Sequence, residues 1–382
     1  MRATLSGLAA LLVLVLSAPL SADLTSDIIQ QATVAEYQSY LRVLTGVDPV
    51  PGNPPVYLTN RYSRGPDILI AGRWIKEQFE SFGLTAIEHV FQSQYGPNII
   101  AELPGTTRPQ DIYIICGHYD TYNASNQYDA PGCDDDGSGT ASAMIAARIL
   151  AQYRFEGTIR FIAFSAEEQW MVGSLAYATL CRNRGDNILG VINLDMILHP
   201  KFDNYPTNPD YDIDIETDPN SEPLARYLEA KFQAYTPIDY QVHVDASNVS
   251  DHWAFWQRGY LAVGLSENTT QEIWGGSNNS YHTNRDNMND PDYDWNFGIE
   301  VVRGALAGIV GWADVSLARP GDLNCDGLIT FDDINPFVLA LSDPAGYQAQ
   351  FPNCSIMNGD LNGDGRVDFG DINPFVAVLT GP

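Results

Sequence analysis

Residues 111–168 read DIYIICGHYDTYNASNQYDAPGCDDDGSGTASAMIAARILAQYRFEGTIRFIAFSAEE. The segment opens on an apolar run, DIYIICGHYD (111–120), and closes on another, TIRFIAFSA (158–166). Both are nearly continuous in apolar residues, which predicts strands buried on both faces. Between them GSGTASAMIAARILAQY (137–153), opened by glycine and small residues, predicts a helix.

The same alternation continues outward. NIIAEL (98–103), GVINLDM (190–196) and YLAVGL (260–265) predict further strands. Helices are predicted for 23–46, where Ile28, Ile29, Val34, Tyr37, Leu41 and Leu44 recur at helical steps, and for Ile68–Phe82, stopped by Gly83. Ser221–Tyr235 and Trp295–Trp312 read as helices too. Strands alternating with helices imply an α/β fold with helices on both faces of the sheet. In such sheets ligands gather at the carboxyl ends of the strands.

The chain has 382 residues, 45% of them hydrophobic, and a formal net charge of -28. A large core is expected, and nucleic acid and anionic membrane surfaces are excluded as partners by charge. Residues 1–22, with Arg2 ahead of the apolar Leu8–Leu16 and small residues up to Ala22, read as a secretory signal peptide. No later segment is long and apolar enough to span a bilayer, so a secreted protein is expected. Five cysteines are present, and Cys325 and Cys354 are candidates for a disulfide. Cys133 is expected to pack rather than bind metal.

Polar groups cluster where the strands run out. DIYIICG ends in His118-Tyr119-Asp120, and the following loop holds Asp134, Asp135 and Asp136. TIRFIAFSA ends in Glu167-Glu168, GVINL ends in Asp195, and SYHTNRDN presents His282. Ionised carboxylates converging on one pocket raise one another's pKa unless a cation compensates. Two histidines among them favour zinc, cobalt or manganese over magnesium or calcium. Five donors with one shared carboxylate suit two metal ions about 3.5–4 Å apart. In a Glu-Glu pair one carboxylate can hold metal while its neighbour moves a proton. Spacing alone does not choose among Asp134, Asp135 and Asp136.

With GHYD, APGCDDDGSG, FSAEEQWMVGS, NLDM and YHTNRD in this order, residues 24–312 resemble the bacterial secreted zinc aminopeptidases of metallopeptidase family 28. The resemblance implies a mostly parallel mixed central sheet flanked by helices, two zinc ions and hydrolysis of the N-terminal bond of a peptide with a free N-terminus. It implies His118 and Asp195 on one zinc, Glu168 and His282 on the other, and Asp135 bridging them. It makes Asp120 the carboxylate that orients His118, Glu167 the general base, and the Asp135–Asp136 bond cis. Some members place a tyrosine shortly before a Ser-Asp-His segment. Here Ser247, Asn248 and Val249 precede Ser250-Asp251-His252, so that donor is missing or comes from elsewhere. Asp251 and His252 are expected to serve local structure.

The chain divides into the leader (1–22), a catalytic domain (23–316) and a tail (317–382). The tail is a duplication: GDLNCDGLITFDDINPFVLAL and GDLNGDGRVDFGDINPFVAVL. Asp322, Asn324, Asp326, Thr330 and Asp333 in one copy match Asp360, Asn362, Asp364, Asp368 and Asp371 in the other, at calcium-loop positions 1, 3, 5, 9 and 12. Leu328 and Arg366 would add backbone carbonyls, giving two calcium ions. The tail is similar to the dockerin type I module, a small all-α calcium loop–helix duplication that docks to cohesin domains. Phe331-Asp332 and Phe369-Gly370 replace the hydroxyl pairs common there, so the partner is not given by analogy.

Three other readings stay open. Glutaminyl cyclase chemistry suits the fold, but such enzymes lack the DDDGSG-type bridging loop. A carboxypeptidase would need a cation for the substrate carboxylate, for which Arg285 and Arg258 are available. A non-catalytic surface-binding protein would have lost a donor or Glu167, and none is lost.

Overall fold

A computed structural model describes residues 24–200, 212–244, 249–269, 273–274, 276–313, 320–325, 329–351 and 354–380. The predicted leader, the 316/317 boundary, Asp326 and Leu328 lie outside the described residues.

Eight strands form one mixed sheet: β1 (Thr85–His89), β2 (Asn98–Leu103), β3 (Arg108–His118), β4 (Gly157–Phe164), β5 (Asn187–Leu194), β6 (Asp212–Thr217), β7 (Asp239–Val244) and β8 (Ala262–Ser266). Their order is β1-β2-β4-β3-β5-β8-β6-β7. The central four, β4, β3, β5 and β8, run parallel, while β2 joins β4 and β6 joins β8 antiparallel. This is the predicted α/β architecture, with both expected directions of pairing.

The apolar runs are buried on both faces, as their composition requires. In β3, Tyr113 and Ile115 join the main core with Met144 and Ile145 of α4 (Gly137–Leu150). Ile112, Ile114 and Cys116 point the other way, into a second core with Tyr177 and Cys181 of α5 (Val172–Arg184). The remaining helices of this unit are α1 (Leu24–Ile29), α2 (Val34–Leu44), α3 (Asp67–Ser81), α6 (Glu222–Tyr235), α7 (Asp251–Trp256) and α8 (Trp295–Trp312). The single helix predicted for 23–46 is two. Thr33 is extended and accepts a hydrogen bond from the Glu36 N–H, so it caps a new helix instead of continuing the old one.

The tail has its own apolar cluster, built on Leu323, Phe337, Ala340, Tyr347, Cys354 and Phe375. Helices α9 (Ile334–Ser342), α10 (Pro344–Gln350) and α11 (Ile372–Thr380) carry most of it, and Phe337 stacks on Phe375 at 4.2 Å. The two copies fold alike. Asp333 accepts the N–H groups of Leu323, Asn324 and Thr330, and Asp371 those of Leu361, Asn362 and Asp368. Arg154 of the large unit donates to the Asp360 carbonyl at 2.7 Å.

Cys325 and Cys354 are bridged, and Cys116, Cys133 and Cys181 are free and buried. The bridge closes a 29-residue separation, for which chain entropy gives about 3–4 kcal/mol. Three thiols are expected on unfolding without reductant, and the Cys325→Ser/Cys354→Ser tail should melt earlier by calorimetry. A count of five thiols would remove the bridge.

Candidate metal centre

Because β3, β4 and β5 are parallel neighbours, their carboxyl ends open on one edge of the sheet. His118 is the last residue of β3, Asp195 follows β5, and Glu167 and Glu168 follow β4. The turn after β4 is tight: Ala166, Trp170 and Met171 all take positive φ (61°, 70° and 54°). Asp135 arrives from the loop before α4, and its bond to Asp136 is cis. Gly139 lets α4 abut the end of β5, since a Cβ there would sit 2.0 Å from the Leu194 carbonyl oxygen. His282, also at positive φ, enters from the loop before α8.

The donors fall into two groups sharing Asp135. His118 Nε2 is 3.3 Å from Asp135 Oδ1 and 3.6 Å from Asp195 Oδ1. His282 Nε2 is 3.1 Å from Asp135 Oδ2 and 3.0 Å from Glu168 Oε2. Within each trio all donor atoms lie within 4.8 Å of one another. Among the described residues these are the sets of three or more histidine, cysteine and acidic side chains so gathered; the tail carboxylates form none. Glu167 Oε2 lies 3.8 Å from His118 Nε2.

The electrostatics show what the donors lack. Burial raises the Glu168 pKa to about 7, with Asp135 adding repulsion. Burial likewise holds Glu167 well above the usual carboxylate range. Burial would lower His282, but Glu168 and Asp135 override it and lift the imidazole to about 11. His118 is raised for the same reason, by Asp195 and Glu167 against burial. The buried carboxylates and imidazoles of this set thus shift one another's protonation strongly. Glu168 Oε1 is buried with no hydrogen-bond partner among the described residues. Imidazole and carboxylate donors in this arrangement fit a pair of zinc-type cations.

The surrounding hydrogen bonds fix each donor. His118 Nδ1 meets the backbone carbonyl of Asp120 at 3.1 Å, while the Asp120 carboxylate, at 3.6 Å, accepts the Glu167 N–H at 3.1 Å. Asp120 therefore meets the histidine with both its main-chain carbonyl and its carboxylate, and holds the glutamate turn with the carboxylate. Asp136 accepts the Gly139 and His118 N–H groups, pinning α4 to β3. Asp134 accepts the N–H groups of Ile197 and Leu198. Of the three aspartates, the geometry thus leaves Asp135 to face both trios.

Four residues to which the sequence reading gave no role at the site hold this arrangement. Asp286, in the YHTNRD segment, accepts the Asp134 and Asp135 N–H groups at 2.7 and 3.1 Å. Arg61 is fully buried and donates to the carbonyls of Leu44, Tyr119, Pro131 and Gly132. Ser250 donates to Asp195 Oδ2 at 2.5 Å and accepts from Asn193 at 2.7 Å. Tyr281 stacks on His282 at 3.8 Å and lines the cleft. The YHTNRD match carried a signal for Tyr281 and Asp286, and the Ser-Asp-His segment one for Ser250; Arg61 had none. Asp251 and His252 are buried and belong to neither trio; His252 lines the cleft floor. Neither Arg285 nor Arg258 lines the cleft: Arg285 donates to the Asn279 carbonyl and Arg258 to Thr179.

Residues 98–301 match the family described as Peptidase family M28. A fungal protein of Pyrenophora tritici-repentis, described as a probable zinc metalloprotease, is 40% identical over 114 residues, 29% of this chain and 26% of the relative. A probable aminopeptidase of Saccharomyces cerevisiae is 30% identical over 182 residues, 45% of this chain and 46% of the relative. The chain therefore matches under half the length of either relative. The crystal structure of the LapA aminopeptidase of Legionella pneumophila superimposes with a TM-score of 0.63 at 20% identity, covering 76% of this chain and 74% of LapA, a likeness of fold. With more than half of its residues matched to the family, the chain belongs to peptidase family M28.

Proposed function

We propose that the chain is a secreted two-zinc exopeptidase that hydrolyses the N-terminal bond of peptides. The observation that carries this reading is the shared Asp135, with one oxygen toward each trio and buried Glu167 alongside. His118, Asp135 and Asp195 would hold one zinc, and Asp135, Glu168 and His282 the other. When bound, zinc supplies Lewis acidity toward the scissile carbonyl and lowers the pKa of water. Glu167 takes the proton of the attacking water and delivers it to the leaving amine. Asp120 holds the Glu167 main chain, and Ser250 fixes the rotamer of Asp195.

The cleft favours a substrate amine over a carboxylate. Its lining includes Glu167, Glu168, Asp195 and Glu216 and no arginine or lysine among the described residues. That counts against a carboxypeptidase. The bridging aspartate counts against a one-zinc cyclase, and the complete donor set with Glu167 counts against a non-catalytic binding protein.

The test is cleavage of an unblocked aminoacyl-p-nitroanilide and its N-acetylated twin, with and without a zinc chelator. Cleavage of the free-amine substrate alone, abolished by chelator, is expected. Cleavage of neither, across side chains and with zinc resupplied, would sink the reading. In zinc titrations Ser250→Ala is expected to weaken binding about 10–100-fold, because Asp195 loses its orienting donor. Unchanged affinity would show that Ser250 only fills space.

For the tail we propose two calcium ions and docking to a cohesin-like partner. The duplication supports this, as do two equivalent apolar stripes: Phe331, Ile334 and Val338 in one copy, and Phe369, Ile372 and Val376 in the other, are all exposed. Gly365, at φ +84°, makes the turn that loop position 6 requires. Millimolar calcium is expected to raise the tail's melting transition in the full chain. No shift would leave the tail a calcium-free helical appendage.

A further inference from the structure

Arg154 lies between α4 and β4, flanked by Tyr153 and Phe155, which are buried in the main core. With both neighbours anchored inward, its guanidinium reaches out to the tail. Nη2 donates to the Asp360 main-chain carbonyl at 2.7 Å, and Nη1 stands 3.8 Å from Asp360 Oδ2. The Arg154 side chain is 26% exposed and that of Asp360 2%, so the pair is largely sheltered from solvent. Asp360 is also position 1 of the second calcium loop. One carboxylate thus serves both the contact between the two units and the proposed ion site.

The loop fits such an ion. Asp360 accepts the N–H groups of Gly363, Asp364 and Gly365, and Asp371 those of Leu361, Asn362 and Asp368. The chain is therefore already wound around its two buried carboxylates, while Asn362, Asp364 and Asp368 stay exposed. Carboxylate and amide oxygens at these offsets suit calcium.

We infer that Arg154 sets calcium uptake by the second loop against the seating of the tail on the large unit. Without calcium, the guanidinium supplies positive charge beside Asp360. A cation taken up by the same carboxylate meets that charge and is repelled by it. Coupling of this kind is reciprocal: the factor by which Arg154 weakens calcium is the factor by which calcium weakens the hold of Arg154 on the tail. Calcium therefore acts as a release. The metal centre stands clear of it. Arg154 precedes the amino end of β4 and Glu167 follows its carboxyl end, with the 8 residues of the strand, about 25 Å, between them.

This inference rests on the calcium reading of the tail, and the experiment separates the two. Calcium chloride is titrated calorimetrically into the calcium-free full chain and into its Arg154→Gln and Arg154→Lys variants. Two sites are expected in each. In Arg154→Gln one site should tighten by about fivefold or more, the lower end of a usual coupling between sites. Arg154→Lys keeps the charge and should tighten less. Adding Asp364→Ala to Arg154→Gln should abolish the tightened site and so assign it to the second loop. Small-angle scattering reads the other half of the linkage. Calcium should raise the radius of gyration of the unmodified chain, and Arg154→Gln should show the larger value before calcium is added. Equal calcium affinities in the unmodified chain and Arg154→Gln would overturn the inference and leave calcium binding intact. So would a radius of gyration that calcium does not raise in the unmodified chain. No calcium uptake by any of these chains would remove the calcium reading and the coupling with it.

Discussion

Glu167→Gln is expected to lower kcat by about 10²–10⁴-fold with zinc content and melting temperature kept. The change is isosteric and removes only the ability to accept a proton. The Glu167 main chain is held independently of its side chain, through its N–H to Asp120 Oδ1, so the turn should persist. Its carboxylate belongs to neither donor trio, so both zinc ions should stay bound. Glu168→Gln is the informative partner, because Glu168 sits 3.0 Å from His282 in the second trio. That variant should lose zinc as well as rate. Metal analysis beside steady-state kinetics therefore separates a base from a ligand. Full turnover in Glu167→Gln would refute the base assignment, and lost zinc there would make Glu167 a ligand.

The central fold was legible because its strands are buried on both faces, and such strands read as continuous apolar runs. DIYIIC, TIRFIAF and GVINL leave no other use for so much β-branched surface. The edges were not legible for the converse reason. β1 and β7 each carry one wet face, and their short polar-mixed sequences, TAIEH and DYQVHV, resemble loops. β6 carries Asp212, Asp214 and Glu216 at alternate positions, a pattern with no apolar run to mark a buried strand, yet the sheet buries all three. Helix α5 was missed because its buried face is narrow, with Tyr177, Ala178 and Cys181 between polar residues.

The site divides along a similar line. Residues whose side chains would face the metals stand at strand ends and announce themselves by charge amid apolar sequence. Residues that position them act through backbone groups, and nothing in a sequence marks which carbonyl or N–H a side chain will find. Asp286 meets two N–H groups 151 and 152 positions away, and Arg61 reaches four carbonyls from three segments. Ser250 was read as part of a Ser-Asp-His segment, yet its contribution is one hydroxyl on Asp195. Identity of residue types at motif positions thus located the donors but not the frame that sets their directions.

The weight carried by that frame should appear most plainly at Arg61. Its guanidinium is fully buried, and Nε, Nη1 and Nη2 give hydrogen bonds of 2.6–2.7 Å to Tyr119, Leu44, Pro131 and Gly132. Burial pulls its pKa down to about 10 against the attraction of Asp286, Asp136 and Asp120, so it stays charged at neutral pH. Arg61→Met keeps much of the apolar stem but leaves the carbonyls of Leu44, Tyr119 and Pro131 without this donor, while Gly132 keeps the Gly137 N–H. Each orphaned group costs about 1–3 kcal/mol, and partial rescue by water sets the expected loss at about 3–5 kcal/mol. Lysine should not rescue it, because one ammonium cannot meet a fork of four acceptors. All seven tryptophans precede residue 317, so fluorescence-monitored urea unfolding reports the large unit without the tail. A lowered midpoint at unchanged slope is the expected result. The same variants should also bind zinc more weakly, since Pro131 and Gly132 lead directly into the loop of Asp135. A midpoint within the error of the unmodified chain would mean that ordered water takes over these carbonyls, and that Asp286 and the Asp134 and Asp136 hydrogen bonds suffice to hold the loop.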